Sequence, residues 1–153
     1  MENFNQTVID EFRTTDGKLD SPRGQAILSA LLPAEALGRF SFVPALLLTT
    51  IGARSGKERI SPLAYLPVGE RVMIIASKAG ADSNPDWYYN VLANPEVTVE
   101  IGAEKFQARA EVLTSGPERD RLYALMAEQL PQFGEYQRKT TRTIPVILLD
   151  RLV

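Results

Sequence analysis

Apolar residues along this chain change their spacing several times, and each change predicts an element. Near the start, Phe4, Val8, Ile9 and Phe12 recur every three or four positions while Glu2, Asp10, Glu11 and Arg13 fall off that stripe. This predicts a short amphipathic helix over 2–13 that packs on the rest of the domain. A polar connector with Gly17 and Pro22 follows, and Ile27, Leu28, Leu31 and Leu32 suggest a second short helix over 24–37, interrupted at Pro33. From Leu46 the spacing shortens. Residues 46–51, 58–68 and 71–77 read as strands, the last two joined by a tight turn at Val68-Gly69-Glu70. The first of these and the run Val72–Ala76 are apolar on both faces, which marks central, covered strands.

Helical spacing then returns in Trp87, Tyr88, Val91 and Leu92, with Ser83 or Asn84 as cap, Pro85 at the first position and Asn94-Pro95 as stop. Val97, Val99 and Ile101 alternate with polar neighbours, as do Phe106, Ala108, Ala110 and Val112, giving two half-buried strands joined through Gly102. Ser115 and Glu118 stand at capping-box spacing before a helix to Leu130, whose inward stripe is Leu122, Leu125, Met126 and Leu130. Beyond a polar segment over 131–142, residues 144–149 read as a last strand inserted beside an earlier one. Six mostly antiparallel strands, with helices between the third and fourth and between the fifth and sixth, suit an α+β barrel. Residues 1–45 are expected to form a helical segment and connector packed on a barrel of residues 46–153.

Composition narrows the chemistry. The 153 residues fit one domain, and neither the 44% hydrophobic nor the 24% charged content departs from a soluble globular chain. No stretch approaches the length of apolar residues that a membrane span requires. The opening MENFNQTVIDEFR has neither the basic start nor the apolar core of a signal peptide, so a cytoplasmic protein is expected. Cysteine and histidine are both missing. That excludes disulfides, thiolate nucleophiles and Cys-rich metal sites, and removes the commonest general base and metal ligand. No metal is expected, and any chemistry is expected to come from a bound cofactor that the protein orients. A net charge of −2 argues against nucleic acid as a partner.

Against that acidic balance, one turn is basic. Gly52 to Lys57, GARSGK, brings two glycines, a hydroxyl and two cations together, and Arg59 follows on the outgoing strand. Arginine presents a planar fork to phosphate oxygens, lysine a mobile point charge, and backbone N–H groups complete an anion nest. A basic hairpin loop without a ligand is the alternative. Glu58 lies inside the cluster, and on a strand its side chain is expected to point away from those of Lys57 and Arg59.

Several stretches together carry a family resemblance: LTTIGARSGKER with SPLAYL, then ASKAGADSNPDWYYNVLANPEVTVE, then EYQRKTTRTIPV. In these runs, which span roughly residues 40–150, the chain resembles the deazaflavin-dependent nitroreductase family of actinobacteria. The resemblance implies a split β-barrel related to FMN-binding folds. It also implies coenzyme F420, and hydride transfer from the reduced deazaflavin to quinones or other electron-poor acceptors such as activated alkenes and nitro compounds. It places Arg54, Ser55, Gly56, Lys57 and Arg59, with Ser61 and Pro62 beyond them, at the coenzyme's phosphodiester and glutamyl tail. The segment Ser77, Lys78, Ala79 and Gly80 would run beside the ring, with Ser77 near the reacting edge and Lys78 near the phosphate or tail, Ala79 standing where family members often have glycine. Pro85, Trp87, Tyr88 and Asn90 would form the coenzyme's wall.

Phe133 and Tyr136 would shape the substrate pocket, with Ser77 and Tyr136 as candidate catalytic groups that donate a proton or stabilise an oxyanion. Phe133 has no hydroxyl, which sets nitroimidazole reduction in question but not coenzyme binding. Tyr65 and Tyr89 stay open between structural and site roles. So do a coenzyme carrier without turnover, and an FMN or haem binder on the same barrel, the haem version weakened by the missing histidine. A peripheral membrane contact through the N-terminal helix, a homodimer, and the role of residues 21–41 are likewise open.

Overall fold

In the computed structural model, residues 9, 10, 13 and 45–152 are described. The expectations for the remainder of 1–44, including the second helix and the 21–41 insertion, lie outside the described residues. Among the described residues seven strands form one antiparallel sheet: β1 Ala45–Ile51, β2 Glu58–Ala64, β3 Leu66–Val68, β4 Arg71–Ile75, β5 Glu96–Ile101, β6 Glu104–Leu113 and β7 Val146–Arg151. Their order across the sheet is β2-β1-β5-β6-β7-β4-β3. β7 thus enters between β6 and β4, as the sequence suggests for the last strand.

The expected single strand over 58–68 is two. β2 pairs with β1, β3 pairs with β4, and Tyr65 alone separates them. Because β2 and β3 are the two outer edges of the sheet and yet adjacent in the chain, the sheet must roll until its edges meet. The rolling makes the barrel, and the break at Tyr65 lets one chain segment serve two ladders.

Alternation along the strands divides the apolar residues into separate clusters. Met73 and Ile75 of β4, with Val146 and Leu148 of β7, pack under Leu122, Tyr123, Met126 and Leu130. Ile74, Ala76, Ile147 and Leu149 face the other way, into a cluster with Leu46, Leu48, Val97, Val99, Trp87 and Val91. Helix α1, Asp86–Ala93, lies against this second cluster; α2, Pro117–Gln129, and α3, Gln132–Arg138, cover the first. β1 is buried on both faces because Ile9 covers Leu47 and Ile60 from outside. The Arg13 guanidinium forks onto the Glu100 carboxylate at 2.8 and 3.0 Å, which ties Arg13 to β5.

Local expectations about the helices need correction. Pro85 is the N-cap of α1 rather than its first residue, and neither Ser83 nor Asn84 caps it. Asn84 Oδ1 is instead taken by Arg142. The Ser115–Glu118 capping box does not form: Gly116, at φ 103, takes the cap position, Pro117 follows it, and Glu118 pairs with Arg121. Leu125 is exposed, because the buried face of α2 centres on Arg119, Leu122, Tyr123 and Met126. The polar segment over 131–142 contains α3.

Candidate active site

The β1–β2 turn is tightly closed. Gly52 N–H donates to the Lys57 carbonyl at 2.7 Å, Gly56 N–H to the Gly52 carbonyl at 2.9 Å, and Lys57 N–H to Ser55 Oγ at 3.1 Å. Gly56 takes φ 72, a conformation that favours glycine. Asn90 of α1 fastens the turn from beneath: its Oδ1 accepts from Ala53 N–H at 2.9 Å and its Nδ2 donates to Thr50 Oγ1 at 3.1 Å. With its amide so engaged, the buried Asn90 sets where the turn sits relative to α1.

A cleft of about 1020 Å³ opens between this turn and α1. Arg54, Ser55, Arg59, Ser61 and Asn90 line it together with Trp87, Tyr89 and Ile9. Glu58 and Asp86 line it too. Glu58, set aside in the sequence by strand alternation, thus borders the same cleft as Arg59. Lys57 and Gly56 are exposed but do not line the cleft.

Further along the same strand and helix lies a second cavity of about 430 Å³. Pro62, Leu63 and Ala64 of β2 form one side, and Ser77, Lys78, Ala79, Pro85 and Trp87 another. Gln132, Phe133 and Tyr136 of α3 close it. Trp87 borders both cavities, so a charged cleft and a largely apolar cavity adjoin along β2 and α1. Tyr88 borders neither and packs in the core, its phenol pushed above its ordinary pKa first by burial and then by Tyr89. Tyr65 is half-buried against that core, and burial raises its pKa as well.

The segment after β4 is strained and clamped. Lys78 and Ala79 take φ 48 and 54, left-handed for residues with a Cβ, and Gly80 takes φ 84. A Cβ on Gly80 would stand 2.9 Å from the Tyr136 carbonyl oxygen, so only glycine lets α3 approach this closely. Arg142 holds the segment from the far side. Its guanidinium donates to the carbonyls of Ala81 at 2.8 Å, Ser77 at 2.9 Å and Ala76 at 3.3 Å, and to Asn84 Oδ1 at 2.7 Å. Arg119 does similar work behind α3, donating to the Ile144 carbonyl and to Gln137 Oε1.

Within the apolar cavity Phe133 and Tyr136 meet edge to face at 5.4 Å. Burial pushes the Tyr136 phenol up, so it keeps its proton beyond the ordinary tyrosine range. Gln132 is 7% exposed, and both its side-chain amide atoms are buried without a hydrogen-bond partner.

Of the residues singled out in the sequence, Arg54, Ser55, Arg59, Ser61, Trp87 and Asn90 thus meet in the charged cleft. Pro62, Ser77, Lys78, Ala79, Pro85, Phe133 and Tyr136 meet in the apolar cavity. Gly80 lines neither, serving the contact with α3. Sequence reasoning missed Gln132 and Arg142: both stand in a polar run whose periodicity is too weak to show a buried face. Among the described residues no cluster of acidic side chains could hold a metal ion, and no helix is long and apolar enough to cross a membrane.

Comparison with known proteins identifies the chain's family. The family model described as F420H(2)-dependent quinone reductase matches residues 28–151. An F420H(2)-dependent quinone reductase of Mycobacterium tuberculosis is 37% identical over 110 residues, covering 71% of this chain and 74% of that one. The solved structure of an F420-H2 dependent reductase is 41% identical with a TM-score of 0.64, covering 70% of this chain and 94% of its own. A second solved structure, a domain-swapped dimer, is 36% identical with a TM-score of 0.65 and covers 82% of this chain and 95% of its own. The chain belongs to the F420H(2)-dependent quinone reductase family.

Proposed function

We infer that this protein reduces quinones with coenzyme F420, binding the coenzyme across the charged cleft and the apolar cavity. The observation that carries the reading is that a charged cleft and an apolar cavity adjoin at a single tryptophan, both bordered by β2 and α1. The coenzyme has the same two-part character, an anionic phosphodiester and glutamyl tail on one side and a flat ring on the other. When bound and reduced, it supplies a hydride, two electrons at once.

The protein's own residues hold, shield and protonate. Arg54 and Arg59, with Ser55, take the anionic part, while Glu58 and Asp86 on the same walls limit how much negative charge the cleft accepts. Pro62, Trp87 and Phe133 line the ring's end and exclude water from the transfer. The Tyr136 hydroxyl, kept protonated by burial, donates to the oxygen of the reduced acceptor, and Ser77 offers a second donor beside it. Phe133 contributes an apolar wall without a proton, which suits a quinone better than a nitro group needing several protons. Pairing of two copies is supported by the domain-swapped relative and is checked by the protein's mass in solution.

The test is a titration of the protein with oxidised F420 and with FMN, followed by Trp87 fluorescence, and then mixing of the reduced complex with menadione. Selective deazaflavin binding followed by rapid menadione-dependent oxidation is expected. Binding without oxidation would make the protein a carrier, and equal or better binding of FMN would remove the coenzyme assignment.

A further inference from the structure

Among the described residues, the only buried side-chain polar atoms lacking a hydrogen-bond partner are Nε2 and Oε1 of Gln132. A buried carboxamide left in this state costs the fold free energy, and native proteins rarely leave one so without a use. Its position supplies the use. Gln132 opens α3, one helical turn before Tyr136 and next to Phe133, and all three line the apolar cavity. Either assignment of the amide's oxygen and nitrogen leaves one donor and one acceptor waiting side by side.

Counting donors and acceptors selects the partner. A quinone carries only acceptors, so it would satisfy Nε2 and leave Oε1 orphaned; a phosphate or carboxylate tail would do the same. The pyrimidinedione part of a deazaflavin ring has an imide edge, an N–H between two carbonyls, which satisfies both atoms of a carboxamide at once. We propose that Gln132 recognises the imide edge of the deazaflavin ring through a paired donor–acceptor contact, and so sets the depth and rotation of the ring in the apolar cavity. This rests on the coenzyme assignment made above. It gives the cavity a polar anchor of its own, independent of the arginines in the charged cleft.

The test uses Gln132→Leu and Gln132→Met, titrated with F420 and with its tailless fragment, the 8-hydroxy-5-deazaflavin ring on its ribityl chain. Both variants remove the orphaned atoms while keeping apolar volume, so the ligand-free proteins should melt at or above the wild-type temperature, which also shows that they fold. Affinity for both ligands should fall by the same factor, about tenfold to a hundredfold, because the ring's polar edge then enters an apolar wall unpaired. Unchanged affinity for both ligands would overturn the proposal. So would unchanged affinity accompanied by a raised KM for menadione, which would assign Gln132 to the acceptor. Failure of the wild-type protein itself to bind F420 would remove the coenzyme assignment, and Gln132 with it.

Discussion

The two cavities are built in different ways. The charged cleft takes its arginines from one short turn and the strand that leaves it, Arg54 to Arg59, fastened by the single amide of Asn90. The apolar cavity collects residues from β2, the left-handed segment after β4, the start of α1 and α3, and needs Gly80 and Arg142 to hold these pieces together. A site carried by one turn tolerates change elsewhere. A site assembled from several segments depends on each junction, so damage to the apolar end should be larger and should spread into stability.

The largest expected effect comes from Gly80→Ala. The new Cβ would press on the Tyr136 backbone at 2.9–3.0 Å in a conformation already closed to most residues. A loss of about 3 kcal/mol in thermal or urea unfolding is expected, together with weakened binding of the tailless deazaflavin. A neutral result would show that α3 yields freely and that the junction is not rigid.

Next in size is Ile9→Ala. Ile9 is 4% exposed, covers Leu47 and Ile60, and forms a wall of the charged cleft. Its truncation should cost about 2–3 kcal/mol in unfolding experiments while leaving the tailless fragment's affinity unchanged. Loss of that affinity would mean that the two ends are mechanically coupled.

Alkaline pH should act from the apolar side. Burial pushes the Tyr123 phenol up to about 12, against the neighbouring charges of Arg119 and Arg142, which lower it, and its hydroxyl donates to the Phe133 carbonyl at the start of α3. The unfolded chain releases this proton near pH 10 and the folded chain only near 12. The stabilisation is therefore complete below pH 10 and is lost as pH climbs towards 12, by about 2 kcal/mol from this residue. Thermal melts across that range, with tyrosinate absorbance in parallel, check it, and Tyr123→Phe should flatten the dependence.

The smallest effect has the opposite sign. Ala79 sits at φ 54, ψ 31, so Ala79→Gly should relieve left-handed strain and stabilise the protein by about 0.5–1 kcal/mol in the same melts.

The same contrast explains what could be read from the chain. The basic turn, the flanking strands and α1 follow from local spacing, because each announces itself within ten residues. The break at Tyr65 could not be read, since no glycine, asparagine or aspartate punctuates Glu58–Val68 and only the closing of the sheet divides it. Nor could α3, seven residues with one glycine and four polar side chains, which exists because Phe133 is buried and Gly80 lets the helix come close. Arg142 and Gln132 fall in a segment that reads only as polar. Their roles arise from what folding brings around them, four acceptors for one and none for the other.

The proposed division of one ligand between the two cavities is tested by titrating the Arg54→Ala/Arg59→Ala protein with F420 and with its tailless fragment. If the arginines hold only the anionic tail, F420 affinity should fall to that of the fragment while the fragment's own affinity stays at the wild-type value. Equal loss for both ligands, or no loss for either, would contradict the account.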